Sequence, residues 1–272
     1  MPDRYAVVGN PIAHSKSPQI HAAFARTTGQ DVSYERLLAP LDGFVATVEQ
    51  FRREGGRGLN VTVPFKLEAF ALAALHSSRA QLAGAVNTLH LEADGTWYGD
   101  NTDGAGLVRD LAHNLGIELR DARILVLGAG GATRGILGPL LDCLPRALAV
   151  SNRTHDKAVA LARQFAPLGP IEAIAPAGLA GREFDLVVNS TSVGVVSAKH
   201  DWPASVFAPG SFAYDLVYSD EPTQFVRWAQ QHGAARTADG LGMLIEQAAE
   251  SFHLWRGVRP ETMPVFALLR PR

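Results

Sequence analysis

Only one cysteine, Cys143, occurs in 272 residues, so no disulfide framework can be written for this chain. An excess of charge of either sign is missing too: 25 Lys and Arg stand against 27 Asp and Glu, and a net charge of −2 leaves no basic footprint for nucleic acid or an acidic membrane surface. No uncharged apolar run reaches about 18 residues, the span a membrane-crossing helix needs. Asp3 and Arg4 interrupt any apolar leader core. Repeats and low-complexity tracts are lacking as well. The expectation is a soluble cytoplasmic protein with no nucleic-acid or membrane partner, and Cys143, inside an apolar helical pattern, reads as a small core residue.

What is present is material for a large core. Hydrophobic residues make up 47% of the chain, enough for two domains or one large one. The most informative stretch is Arg123 to Arg134. Ile124-Leu125-Val126-Leu127 is a buried-strand run, Gly128-Ala129-Gly130-Gly131 follows at once, and Ala132 to Leu144 reads as a helix. Strand, glycine turn and helix form a dinucleotide-binding unit, in which backbone approaches a pyrophosphate at a helix N-terminus. Thr133 occupies the third glycine position of the usual G-x-G-x-x-G pattern.

The next strand, Ala147 to Ser151, ends at Asn152-Arg153-Thr154. A fold selective for NAD carries an acidic residue at that strand end to hold the ribose hydroxyl. Here Arg153 stands there, with Lys157 one turn into the next helix and Thr154 as its N-cap, a set that suits a phosphate and favours NADP.

The chain before the glycine turn reads as alternating strands and helices. Tyr5 to Val8 is a strand, Ser17 caps a helix whose inner face is Ile20, Ala23, Phe24 and Thr27, and Tyr34 to Leu38 is a second strand. Asp42 to Arg53 is a helix with Phe44, Val45, Val48 and Phe51 inward. Gly58 to Val63 is a third strand, and Lys66 follows at its junction with a helix over Leu67 to Leu75. Asp94-Gly95 joins a hairpin, and Gly99-Asp100-Asn101-Thr102-Asp103-Gly104 precedes a helix from Ala105 to Leu115. Ser15 and Ser17 crowd one helix start, which suits either a plain cap or a small anion such as a carboxylate. Lys66 suits either solvent or a ligand at a strand end.

Seven motifs in fixed order carry a resemblance: N10-P-I-A-H-S-K-S-P18, N60-V-T-V-P-F-K66, A85-V-N-T88, G99-D-N-T-D-G104, G128-A-G-G-A-T-R134, N152-R-T154 and G240-L-G-M-L244. Together they resemble the shikimate dehydrogenase family, over nearly the whole chain. The resemblance implies an α/β fold. An N-terminal α/β substrate-binding domain would span 1–103, with 238–272 returning to pack on it, and a Rossmann-type NADP-binding domain would span 104–237. The active site would lie in the crevice between them.

The resemblance also implies site residues. Lys66 and Asp103 would be the catalytic pair. Ser15 and Ser17 would bind the substrate carboxylate, while Thr62, Asn87 and Gln247 would bind its ring hydroxyls and Tyr218 would also touch substrate. The cofactor would meet Gly128, Ala129, Gly130, Gly131, Ala132, Asn152, Arg153, Thr154, Lys157, Thr191, Leu216 and Gly240, with the turn through Ser192 to Gly194 running alongside. No metal is expected, and a homodimer is left open. At helical spacing Gln247 lies about 100° or more from the apolar stripe Leu241, Leu244, Ile245, Ala248, Ala249, Phe252 and Trp255, so it is free to face a cleft. Ser77-Ser78 stand where family members often carry an acidic residue. The implied activity is reversible NADPH-dependent reduction of 3-dehydroshikimate to shikimate. A quinate-active, NAD-tolerant enzyme and a non-catalytic NADPH sensor are the alternatives; Arg153 speaks against the first and the Lys66–Asp103 pair against the second.

Overall fold

Parallel pairing explains why the stretches at 5–8, 124–127, 148–150 and 186–188 read as short continuous apolar runs, since such strands are buried on both faces. The protein is described by a computed structural model that covers residues 1–191 and 202–270. The chain begins β1 (Asp3–Gly9), α1 (Ser17–Thr28), β2 (Val32–Leu38), α2 (Phe44–Arg53), β3 (Gly56–Val61) and α3 (Lys66–Leu72). It continues β4 (Leu75–His76), α4 (Ser78–Ala83), β5 (Thr88–Leu91), β6 (Trp97–Asp100) and α5 (Asp103–Arg109). Next come β7 (Arg123–Leu127), α6 (Gly131–Asp142), β8 (Ala147–Ser151), α7 (His155–Phe165), β9 (Ile171–Ala173) and β10 (Phe184–Asn189). The last elements are β11 (Phe207–Asp215), α8 (Gln224–Gln231), β12 (Arg236–Ala238), α9 (Leu241–Arg256) and α10 (Met263–Leu269).

These elements fall into two units, Met1–Leu107 with Leu244–Arg272, and Val108–Met243. The first holds a mixed sheet in the order β2-β1-β3-β5-β6-β4. Its hairpin β5–β6 is antiparallel, as Asp94-Gly95 predicts, while β1 pairs in parallel with β2 and β3. Ala6, Val8, Leu59 and Val61 alternate onto a core with Phe44, Val48 and Phe51 of α2. The second unit holds a parallel sheet, β12-β11-β10-β7-β8-β9, with Leu125, Leu127, Ala149, Val187 and Ala213 in its core.

Several local expectations are corrected. The N-cap of α1 is Lys16, and Ser17 is its first helical residue, which turns the Ser17 hydroxyl away from capping. Thr27 is exposed because the buried face of α1 runs through His21 and Ala25, and Val45 of α2 is half-exposed. Cys143 is the partly exposed C-cap of α6, its thiol on the Pro139 carbonyl, because the helix ends one residue before it. The apolar stretch Phe212 to Tyr218 reads in the sequence as one long strand, but β11 ends at Asp215, which takes the backbone N–H of Val217 into a turn at 3.1 Å. The helix after Asp103 changes to a π-turn at Asp110–Asn114. Helix α9 is buried on more than one stripe, since Glu246 and Gln247 are also covered.

The aromatic layer of the first unit contains a fully buried histidine. His21 stacks on Tyr34 at 4.1 Å and meets Phe24 edge-on at 5.9 Å. Burial lowers its pKa from 6.5 to about 3, and the Asn60 side chain offsets only part of that. The folded protein therefore holds His21 neutral where the unfolded chain takes up a proton, so stability is lost as pH falls from 6.5 towards 3. The expected slope is about 1.4 kcal/mol per pH unit at most. Replacing His21 by Phe keeps the stack and should flatten that part of a urea-stability profile between pH 6 and 4.5. An unchanged slope would assign the acid sensitivity elsewhere.

Candidate active site

Lys66 is the first residue of α3 and Asp103 the first residue of α5, so two helix starts present the two side chains to each other. The Lys66 ammonium donates to Asp103 Oδ2 at 2.5 Å, with side chains 16% and 7% exposed. A charged pair this sheltered is held only if its remaining lone pairs are also satisfied. Asn87 supplies that satisfaction by donating from Nδ2 to Asp103 Oδ1 at 2.8 Å. Its orientation is fixed from behind, because the backbone N–H of Thr102 can only donate and does so to Asn87 Oδ1 at 2.8 Å. Gln247 completes the cluster, its Oε1 accepting from Asn87 at 3.1 Å and from the Thr102 hydroxyl at 3.2 Å. Gln247 is thus buried among polar partners, not turned to solvent as its helical position alone allows.

At the start of α1, Ser15 Oγ donates to Ser17 Oγ at 3.1 Å. Thr62 follows directly on β3 and is partly exposed, its backbone N–H on the Val8 carbonyl at 3.0 Å. Lys66, Asp103, Asn87, Gln247, Ser15, Ser17 and Thr62 all belong to the first unit. Tyr218 belongs to the second, three residues beyond the end of β11.

The Ser77-Ser78 replacement has a clear structural outcome. Ser77 caps α4 by accepting from the Ala80 N–H at 3.1 Å and donates to Asp100 at 2.5 Å. Arg79 grips the same carboxylate through two nitrogens at 2.7 and 2.5 Å. Burial opposes the charge on Asp100, and the Arg79 guanidinium more than offsets it, so its pKa lies below the usual carboxylate value.

The second unit carries the glycine turn between β7 and α6. Gly128 has φ 117, and a Cβ there would come within 2.6 Å of Ser190 Oγ, so no other residue fits. Thr133 does what sequence could not assign to it. Its hydroxyl accepts the Gly130 N–H at 3.2 Å and bonds Ser190 Oγ at 2.7 Å, while Ser190 donates to the Leu127 carbonyl at 2.8 Å. The turn is pinned from inside, and the positions where Cβ atoms of Gly130 and Gly131 would project are open space. Ala132 continues α6 in the same first turn.

At the end of β8, Arg153, Thr154 and Lys157 are exposed, and Asn152 Nδ2 holds the Thr154 carbonyl at 2.9 Å. Thr154 is the N-cap position of α7, though its side chain makes no cap bond. An open glycine cradle at a helix N-terminus, with a guanidinium and an ammonium at the neighbouring strand end, fits a phosphorylated dinucleotide.

Three further candidate residues are drawn together at the ends of β10 and β11. Asn189 and Asp215 face each other in register, with Asn189 Nδ2 donating to Asp215 Oδ1 at 2.9 Å. Asn189 Oδ1 takes both the N–H and hydroxyl of Thr191, and its carbonyl takes the Leu216 N–H at 2.9 Å. Gly240 N–H bonds the Val217 carbonyl at 3.1 Å. Burial raises the pKa of Asp215, and the Thr223 hydroxyl at 2.6 Å opposes it. In the sequence Asn189 reads only as the polar end of a buried strand, and Asp215 as a residue equally suited to a structural or a functional role. Of the expected turn, Ser192 to Gly194 lies outside the described residues.

A six-stranded parallel sheet with a glycine turn, in one chain with an α/β unit presenting a buried lysine–aspartate pair, defines an oxidoreductase of the nicotinamide-dependent class. Comparison with known proteins narrows this. The description "Shikimate dehydrogenase substrate binding domain" matches residues 7–89, "Shikimate / quinate 5-dehydrogenase" matches 110–202, and "Shikimate 5'-dehydrogenase C-terminal domain" matches 240–263. The Nitrosospira multiformis protein named Shikimate dehydrogenase (NADP(+)) is 59% identical over 99% of this chain and 98% of its own. An Ael1 enzyme from Pseudomonas putida superposes with a TM-score of 0.92 at 48% identity, covering 99% of both chains. Shikimate 5-dehydrogenase from Thermus thermophilus, solved with NADP(H) and shikimate, gives 0.84 at 38% identity and 96% of both. The chain belongs to the shikimate dehydrogenase family.

A glycine of the G240-L-G-M-L244 motif tests the packing within the second unit. A Cβ built on Gly242 falls onto the Asp110 carboxylate, which is buried and held by the Tyr214 hydroxyl at 2.7 Å and Asn114 at 2.9 Å. Gly242→Ala should therefore cost about 1–3 kcal/mol as overpacking against an immovable group. A urea unfolding midpoint equal to that of the parent would show that Asp110 yields.

Proposed function

We propose that this chain catalyses the reversible NADPH-dependent reduction of 3-dehydroshikimate to shikimate, with Lys66 and Asp103 as its catalytic pair. The observation that carries the reading is the sheltered 2.5 Å contact between them, inside a cluster of amide and hydroxyl groups suited to a polyhydroxylated ring. NADPH supplies the hydride. Reduction of the ketone builds negative charge on its oxygen, and the Lys66 ammonium stabilises that charge and delivers the proton. In the oxidative direction the neutral amine receives it. Asp103 keeps the Lys66 nitrogen in place, and Asn87 keeps Asp103 in place.

Ser15 and Ser17 are assigned to the substrate carboxylate, Thr62, Asn87 and Gln247 to its ring hydroxyls, and Tyr218 to a further substrate contact. Gly128, Ala129, Gly130, Gly131 and Ala132 are assigned to the pyrophosphate, and Asn152, Arg153, Thr154 and Lys157 to the adenosine end with its 2′-phosphate. Thr191, Leu216 and Gly240 are assigned to the nicotinamide end. Residues 1–103 with 238–272 form the substrate-binding domain in this reading, and 104–237 the NADP-binding domain. The cytoplasm is the compartment that goes with it, and association as a homodimer is compatible with it.

Shikimate or quinate crossed with NADP⁺ or NAD⁺, followed by the appearance of reduced cofactor, tests the assignment. Shikimate with NADP⁺ should give the highest kcat/KM, and no turnover with that pair would refute it. Lys66→Ala should lower kcat by about 10²–10⁴-fold with a smaller change in substrate KM; near-normal kcat would take Lys66 out of the mechanism. Arg153→Ala should weaken NADPH by about tenfold or more while sparing NADH, since charge-assisted bonds to a phosphate contribute about 1.5–3 kcal/mol each. Equal weakening of both cofactors would contradict the 2′-phosphate assignment.

A further inference from the structure

The loop that leaves β11 carries Leu216 and Tyr218 and contains neither helix nor strand, yet its backbone is fastened in four places. Two fastenings lead back to the sheet. The Leu216 N–H reaches the Asn189 carbonyl at 2.9 Å, and the Val217 N–H reaches Asp215 Oδ1 at 3.1 Å. The other two lead to the start of α9. The Val217 carbonyl takes the Gly240 N–H at 3.1 Å, and the Ser219 N–H donates to Asp239 Oδ2 at 3.2 Å.

Asp239 is 8% exposed, and its carboxylate is divided between two backbone donors. Oδ1 takes the N–H of Leu241, the first residue of α9, at 3.2 Å, while Oδ2 takes that of Ser219. The first bond is the local turn that an Asp or Asn side chain makes with the residue two further on. The second spans 20 residues of chain and belongs to no local turn. The partial positive charge at the start of a 16-residue helix favours a carboxylate there. A carboxylate of this length offers an acceptor to each donor, whereas an Asn would turn an NH₂ towards one of them.

The neighbouring contact is tight. A Cβ on Gly240 would lie 2.2 Å from the Leu216 carbonyl oxygen and 3.2 Å from that of Asp215. The loop thus rests backbone to backbone on residue 240. With the Gly240–Val217 bond alone, the chain beyond Val217 could pivot about that point. The bond at Ser219 removes the pivot, and Tyr218 lies between the two fastenings. Leu216, Val217 and Tyr218 are half-buried while Ser219 is exposed, so the Asp239 bond acts where burial gives way to solvent.

We propose that Asp239 is a positioning residue for the nicotinamide end of the cofactor: by holding Ser219 it fixes the loop that carries Leu216 and Tyr218 against Gly240. In this role the carboxylate acts through the loop backbone and not on the cofactor itself. The inference rests on the proposed function, which assigns Leu216 and Gly240 to that end. The adenosine end is assigned to residues beyond β8, so the two ends of one ligand are separable.

Calorimetric titration with NADP⁺ and with adenosine 2′,5′-bisphosphate, which lacks the nicotinamide end, makes that separation. Asp239→Asn keeps the turn onto Leu241 and sets an NH₂ opposite the Ser219 N–H. It should weaken NADP⁺ by about tenfold, the scale of a lost hydrogen bond whose donor is left unpaired. Adenosine 2′,5′-bisphosphate should change by less than about twofold. Arg153→Ala should instead weaken both ligands. Equal losses of the two ligands in Asp239→Asn, as a general loosening of the unit would give, or no loss of NADP⁺, would overturn the proposal. Ser219→Pro removes the donor from the other side and leaves the carboxylate intact. It should reproduce the loss and, combined with Asp239→Asn, add less than about twofold, whereas losses that add in full would show that Asp239 does not act through Ser219. Should Asp239→Asn fail to fold, Ser219→Pro carries the two-ligand comparison by itself. A parent chain that binds neither ligand would refute the proposed function and this inference with it; a parent that binds both, matched by the variants, would refute this inference alone.

Discussion

An ammonium and a carboxylate held 2.5 Å apart in a largely covered setting need help to remain there. Their mutual attraction must offset two desolvation penalties, and it does so only when the spare lone pairs of the carboxylate find donors. That requirement accounts for much of the first unit's polar interior. Asn87 is only 2% exposed because it is the donor, Thr102 is 0% exposed because its N–H fixes the Asn87 amide, and Gln247 is drawn off solvent because Asn87 and Thr102 both offer it protons. The elements then follow from the side chains. β5 must bring Asn87 to its start, and α5 must begin at Asp103. α9 must bury a polar face as well as an apolar one.

The second unit solves a different problem with backbone. In the proposed reading a nucleotide is bound there by N–H groups and by the absence of side chains, and the unit's residues keep its turns open and in place. Thr133 and Ser190 tie the glycine turn to the end of β7. Asn189 and Asp215, adjacent on neighbouring strands, tie the turns that carry Thr191 and Leu216. Burial raises the Asp215 pKa, and it keeps three donors, which makes it an organiser of loops whose own side chain points inward. In the proposed reading the working groups of the first unit are side chains, so substitutions there act on chemistry. In the second they are mostly backbone, so substitutions act through the shape of turns.

What sequence could and could not say divides along the same line. The β7–α6 glycine turn, the hairpin at Asp94-Gly95 and the alternation of strand and helix were legible because each has a local cause: a conformation only glycine adopts, a turn pair, an apolar period. Lys66 and Asp103 were legible only through the ordered motifs, since 37 residues separate them and nothing local says that they meet. Capping at α1 was misread because Ser17 and Lys16 are equally plausible starts until the Pro18 turn is placed. For Gln247 helical spacing gave direction but not partners: a residue off the apolar stripe is free to face a cleft, and which groups it meets there, Asn87 and Thr102, only the fold decides. The roles of Tyr34, Asn189, Asp215 and of Asn60, which heads one of the motifs, were unreadable for a simpler reason. Each looks like an ordinary strand residue until its cross-strand neighbours are known.

These silent residues point to a general division of labour in the fold. Groups proposed to touch ligand sit at helix starts or strand ends, where the backbone turns and leaves room. Groups that hold them sit one layer back on the strands, where the pleat fixes a side chain's direction without further help. Asn60 behind Asn87 and Asp215 behind the turn of Thr191 obey that rule. The strand layer is stiff because its hydrogen bonds are shared with neighbours on both sides, whereas a loop residue has only its own turn to rely on. Precision at the reacting atoms is therefore borrowed from the sheet, and a polar residue pointing inward near the end of a parallel strand is where such support should be sought first.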